Sequence, residues 1–190
     1  AAYRCFLTRE ELDQARKEAQ AKGGDFRVPK TYRDMPLQDQ KRLLNAGQTF
    51  TVRLKIPPGK TLFKDHIYGA ITVNNKEIDD FIIARSDGTP TYNFTVVVDD
   101  HTMGISHVIR GEDHISNTPK QLLIYGSLGY PVPEFAHLPM ILGPDKKRLS
   151  KRHGAAGIQE FRDAGYAADT LLNYLVMLGW NPGTEQELFT

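Results

Sequence analysis

Polar and apolar positions along this chain recur with two periods, and they divide it into short strands and helices. Residues 8–22, TREELDQARKEAQAK, are predicted as a helix. Thr8 followed by Glu11 makes a capping box, in which hydroxyl and carboxylate satisfy reciprocal backbone donors, and Gly23-Gly24 stops the helix. Residues 36–46, rich in Lys, Arg, Gln and Leu, suggest a second helix. Residues 49–56, TFTVRLKI, alternate in strand fashion and end at Pro57-Pro58-Gly59. Two short strands are predicted within 61–73 around Gly69, and another over 79–84 before the turn Ser86-Asp87-Gly88. Residues 106–110 read as a short buried strand, Thr118 to Leu128 as a helix with Pro119 in its first turn, and 135–142 as a strand interrupted by Pro139. Helices over 157–164 and 167–179 flank Gly165, the second with an apolar stripe at Leu171, Leu172, Leu175, Val176 and Leu178. One stretch is in conflict: 92–104 carries Val96-Val97-Val98, and β-branched runs favour a strand.

Composition narrows the class. Forty per cent apolar and a quarter charged residues over 190 positions describe an ordinary globular chain of one or two domains. The net charge of +1 excludes a strongly basic chain but not a basic face. No apolar run nears the ~20 residues that span a bilayer, so no membrane partner is expected. A lone Cys5 excludes an internal disulfide and a cysteine-built zinc site, and is weakly in keeping with a cytoplasmic setting. Both ends run directly into structured-looking sequence and read as cuts through a longer protein.

The richest chemistry lies in the loop 143–154, GPDKKRLSKRHG. A basic pentapeptide on a loop is usually a solvated surface segment. Here Arg148-Leu149-Ser150-Lys151-Arg152 follows an apolar strand and the turn Gly143-Pro144-Asp145. Cations beside a hydroxyl suit a polyphosphate: lysine brings a mobile point charge, arginine and serine bring directional donors.

The pentapeptide resembles the Lys-Met-Ser-Lys-Ser signature loop of class I aminoacyl-tRNA synthetases, and most closely the Lys-Leu-Ser-Lys-Arg-His-Gly-Ala form of glutamyl-tRNA synthetases. It departs from that form once, with Arg148 for the first lysine. The resemblance extends through Arg85-Ser86-Asp87-Gly88-Thr89-Pro90-Thr91-Tyr92-Asn93-Phe94, Val97-Val98-Asp99-Asp100-His101, His107-Val108-Ile109-Arg110-Gly111-Glu112-Asp113-His114, Asn117-Thr118-Pro119 and Leu171-Leu172-Asn173-Tyr174-Leu175. It is dense over 61–190 and looser over 1–30.

The resemblance implies an α/β fold in which 1–93 is a connecting, acceptor-stem-binding insertion of α+β type. Residues 94–157 would be the second half of a Rossmann-type nucleotide-binding domain, and 158–190 the start of a helical stem-contact region. It also implies that 92–104 is a helix, against propensity. The first half of the catalytic domain would lie upstream and an anticodon-binding domain downstream. The implied activity is a glutamate–tRNA ligase: ATP with Mg²⁺ activates L-glutamate to glutamyl-adenylate, and the glutamyl group passes to the 3′ end of tRNA(Glu). The intact enzyme would act as a cytoplasmic monomer, and the present chain alone would be inactive.

By position, the resemblance puts Lys151 against ATP phosphate, with Arg148, Ser150 and Arg152 assisting, and Asp113 and Ile141 near the ATP ribose and adenine. Tyr92, Arg110 and Val96 would line the glutamate pocket, where a guanidinium grips a carboxylate in a bidentate fork. Two readings stand for Tyr92, pocket wall or core packing, and two for Arg110, pocket residue or partner of Glu112 or Asp113. His107, His114 and His137 are read as structural or substrate-positioning groups. Some glutamyl-tRNA synthetases bind zinc in the region matching 5–34; Leu7 stands where a second Cys is expected and 27–40 holds no Cys or His, so no zinc is predicted. The alternatives are a glutamyl-queuosine tRNA(Asp) synthetase, which shares the core, and a non-catalytic tRNA-binding module.

Overall fold

The computed structural model describes residues 1–142, 145–146, 157–178, 180 and 182–189. They form two compact units: Ala1–Val108 with Ser116–Phe135, and Ile109–Ile115 with Ala136–Thr190.

In the first unit, β1 (Ala2–Cys5) leads into α1 (Arg9–Ala21) and α2 (Leu37–Asn45). The expected capping box is present: Glu11 N–H donates to Thr8 Oγ1 (3.2 Å) and Thr8 N–H to Glu11 Oε2 (2.8 Å). Gly23, at φ +67°, turns the chain out of α1. β1 pairs antiparallel with β2 (Thr51–Leu54), from Ala2↔Leu54 to Cys5↔Thr51. β2 pairs in turn with β5 (Ile82–Ala84), through a bulge between Val52 and Arg53. The strand expected over 79–84 is therefore shorter than its pattern suggested. Asp80 departs from the ladder because its buried carboxylate turns to Arg33, Tyr3 Oη and the Ile56 N–H.

β3 (Lys60–Asp65) and β4 (Gly69–Asn74) make the predicted pair around Gly69, a hairpin registered from Lys60↔Asn74 to Asp65↔Gly69. Asp65 Oδ1 accepts the N–H groups of Ile67 and Tyr68 and so fixes the turn (3.0 Å each). β3 also runs parallel to β7 (Glu134–Leu138), meeting it at Asp65↔Phe135, in a sheet ordered β4-β3-β7-β6. The strands β6 (His107–Gly111) and β7 both pass from the first unit into the second. The fold is thus mixed α/β with a parallel strand pair. β7 stops just before Pro139, as a strand lacking that donor must. β6 is not the buried strand its apolar residues suggested: Ile109 is 66% exposed, because the alternation puts it opposite Val108 and Arg110.

The conflict at 92–104 resolves as α3 (Tyr92–Thr102), packed on α4 (Thr118–Leu128). Three valines in a helix cost up to ~0.7 kcal/mol each relative to alanine. Val97 is fully buried, a gain of ~1.5–3 kcal/mol, among Leu54, Ile56, Ile124 and Tyr125. Phe94 packs against the same cluster, and His101 stacks on Tyr130 at 3.7 Å between centroids. Tyr125 Oη donates to Asp100 (3.4 Å), and Gln121 Nε2 to Asn93 Oδ1 (3.2 Å). Tertiary burial therefore outweighs local preference here.

In the second unit, α5 (Ile158–Asp163) and α6 (Ala168–Met177) flank Gly165 at φ +86°. Asn173 ties down the segment beyond α6, donating to Glu187 O (2.8 Å) and accepting from Phe189 N–H (2.7 Å). The apolar stripe of α6 is not a core face: Leu172, Leu175, Val176 and Leu178 are exposed. No described helix is long and apolar enough to cross a membrane.

Candidate functional site

Two groups of the expected site residues fall in the described structure, one in each unit. In the first, Tyr92 opens α3 and Val96 lies one turn along the same face. Tyr92 is 52% exposed, so its ring is not core packing, whereas Val96 is half-buried beside the fully buried Val97. Thr91 holds the start of the helix against β5, its Oγ1 donating to Ile82 O (2.7 Å) and its N–H to Ile83 O (2.9 Å).

In the second unit, Arg110 sits near the end of β6 and His137 near the end of β7, neighbouring strands of one sheet. Arg110 Nε–H donates to His137 Nε2 at 3.1 Å, and His137 has no solvent exposure at all. The partners considered for Arg110 from sequence, Glu112 and Asp113, are engaged elsewhere as well. Glu112 Oε1 accepts the Met140 N–H (3.0 Å), which fastens the chain after β7 to the turn after β6. Asp113 Oδ2 lies 4.0 Å from His114 Nε2, a loose and partly solvated pairing.

Gly111 lets this turn close. A Cβ built there would fall 2.6 Å from Asp113 Oδ1 and 3.7 Å from Met140 Sδ, so a side chain at 111 would displace the carboxylate. Ile141, expected near adenine, is partly exposed in the irregular segment after β7. Arg148, Ser150, Lys151 and Arg152, with the rest of the basic loop apart from 145–146, lie outside the described residues.

Of the other histidines, His107 touches Ser106 Oγ through Nδ1 (2.9 Å) and lies 3.8 Å from Glu134 through Nε2. His66 bonds the same carboxylate, and this hydrogen bond is the chief cause holding Glu134 below the ordinary glutamate range, with the charge of His107 next. Among the described residues, no group of three or more His, Cys, Asp or Glu could hold a metal ion.

Sequence reasoning missed two buried polar groups near these residues. Gln121 and Glu112 both tie separate segments together, and a buried or backbone-bound side chain of that kind leaves no periodic signal. The Gly111-Glu112 pair after an apolar strand was the one available hint.

A family model described as tRNA synthetases class I (E and Q), catalytic domain, matches residues 1–190. The chain is 52% identical over 191 residues to a glutamate–tRNA ligase of Aquifex aeolicus, covering 100% of this chain and 40% of that protein. It is 54% identical over 186 residues to one from Geobacter sulfurreducens, covering 97% and 39%. It also resembles the crystal structure of a glutamate tRNA ligase from Elizabethkingia meningosepticum in complex with its amino acid. That match has a TM-score of 0.82 and 34% identity, over 100% of this chain and 43% of that one. The chain spans about two fifths of the length of the curated relatives it matches.

Proposed function

The chain belongs to the class I (E and Q) tRNA synthetase catalytic-domain family, and from that premise we propose that it is part of a glutamate–tRNA ligase. The enzyme activates L-glutamate with Mg²⁺-ATP and charges tRNA(Glu) in cytoplasmic translation. The observation that carries the reading is Arg110. It is a guanidinium near a strand end, held through Nε by a buried imidazole, in a chain about half identical to glutamate–tRNA ligases along its whole length.

Arg110 grips a glutamate carboxylate, and Tyr92 and Val96 wall the pocket, an exposed phenol above a half-buried valine on one face of α3. Asp113 meets the ATP ribose and Ile141 the adenine. Lys151, helped by Arg148, Ser150 and Arg152, neutralises the phosphates. In the first step the glutamate α-carboxylate attacks the α-phosphate of ATP in line, and pyrophosphate leaves. In the second, the terminal adenosine of the tRNA displaces AMP. Neither step needs an enzymic nucleophile; positioning and charge stabilisation carry the catalysis.

The finer architecture belongs to the same proposal. Residues 1–93 form the insertion that binds the acceptor stem, 94–157 the second half of the Rossmann-type domain, and 158–190 the start of the stem-contact region. The intact enzyme is a monomer. The test is ATP–pyrophosphate exchange by the full-length protein with tRNA present. Exchange should depend on glutamate; exchange driven by glutamine, or none, refutes the reading.

A further inference from the structure

We propose that His137 is a positioning and specificity-determining residue, a neutral imidazole that sets the orientation of the Arg110 guanidinium without cancelling its charge. The proposal rests on the reading of Arg110 as a glutamate-binding residue.

The geometry is specific. Arg110 Nε always carries its hydrogen and can only donate. The His137 nitrogen 3.1 Å away must therefore present a lone pair, so the ring proton sits on Nδ1. The imidazole is fully buried on β7, beside the strand that carries Arg110, and a side chain packed in that way does not swing. Two adjoining strands thus fix both ends of the bond.

Two consequences follow for an acidic substrate. A guanidinium offers a bidentate carboxylate either its Nε–Nη edge or its Nη–Nη end. With Nε–H directed at His137, the end-on approach is selected, which sets the angle at which a carboxylate can be gripped. The second consequence concerns charge. A carboxylate in place of His137 would bind Arg110 more strongly and neutralise it, leaving little field for glutamate. A neutral acceptor orients the group and leaves its full positive charge for the ligand. That arrangement favours glutamate over glutamine, since only the former brings a second anion.

The experiment uses full-length enzyme in glutamate-dependent pyrophosphate exchange, with glutamate and ATP varied separately. His137→Phe keeps a ring but removes the acceptor. It should raise the glutamate KM about tenfold, the scale of one hydrogen bond from a charged donor, and leave the ATP KM unchanged. His137→Gln, which restores a neutral acceptor, should recover most of the loss. His137→Glu should be worse than His137→Phe, although it too can accept the bond. Arg110→Ala should raise the glutamate KM, and adding His137→Phe to it should cost nothing further. Should His137→Phe not fold, His137→Leu takes its place. If Arg110→Ala raises the glutamate KM while the His137 variants leave it unchanged, the positioning role is wrong and the pocket reading survives. If neither moves it, the Arg110 reading fails and His137 falls with it. A His137→Phe enzyme in which both KM values rise together, or in which Gln does not rescue, marks a merely structural histidine and overturns the proposal.

Discussion

Asp80 offers the sharpest test of how the first unit is held together. Its carboxylate is buried, and it accepts both from Arg33 Nη1 and from the Ile56 N–H (2.9 Å) and Tyr3 Oη (3.2 Å). Arg33 in turn donates to Ile56 O (2.8 Å), so one ion pair pins the irregular segment 22–36 to the end of β2. Replacing Asp80 by alanine leaves a largely buried guanidinium and two donors without their acceptor. Breaking a buried pair from one side costs about 3–5 kcal/mol. The stranded Ile56 N–H and Tyr3 hydroxyl act in the same direction but are not additive with it. A loss of about 4 kcal/mol at a urea slope of about 2 kcal/mol per molar shifts the midpoint by about 2 M. Amide exchange at Ile56 should quicken in step. Asp34→Asn, which removes an exposed partner of Lys55 (2.8 Å), should leave the midpoint in place. An Asp80→Ala midpoint within about 0.5 M of the parent, at the same slope, would refute the reasoning and make the network decorative. Tyr3 adds an alkaline arm. Burial above all, then the Asp80 charge, raises its phenol well above the ordinary value near 10. Stability from this group is complete below about pH 10 and is lost as the unfolded phenol ionises above it while the folded one does not. Tyr3→Phe should flatten that alkaline decline.

Three further outcomes are expected. In the full-length enzyme, Lys151→Ala should slow adenylate formation by ~10²-fold or more, the scale of a lost transition-state donor; an unchanged rate of glutamate-dependent pyrophosphate exchange contradicts its role. Val97→Ala should destabilise the first unit by about 2 kcal/mol, since two buried methyl groups and the cavity they leave outweigh the gain in helix propensity; denaturant unfolding measures it, and a neutral variant would mean α3 is not held by burial. Glu134 should titrate below the ordinary glutamate range by carboxyl NMR, so that its tie to His66 is present above that range and lost as pH falls. His66→Ala should bring the titration back up, and no movement would sink the assignment of its cause.

Much of this protein was legible in its sequence because the signals were local. The capping box at Thr8 and Glu11, the turn at Gly69, the proline in the first turn of α4 and the glycine between α5 and α6 each act on a few neighbouring bonds, and each element lies where its pattern placed it. The chain of ordered motifs pointed to a family in the same way, residue by residue. Tertiary structure alone decided what depends on partners distant in sequence. Val96-Val97-Val98 reads as strand until Val97 finds the pocket between Leu54 and Ile124; the family resemblance pointed to the helix, but burial is what makes it stable. Asp79-Asp80-Phe81 reads as strand until Asp80 meets a cation 47 residues away. The apolar stripe of α6 and the residues of β6 look like core, yet exposure depends on what packs against an element, which periodicity does not report. Arg110 could be named from its motif. That its Nε rests on the buried His137, 27 residues further along, follows only from two strands being laid side by side.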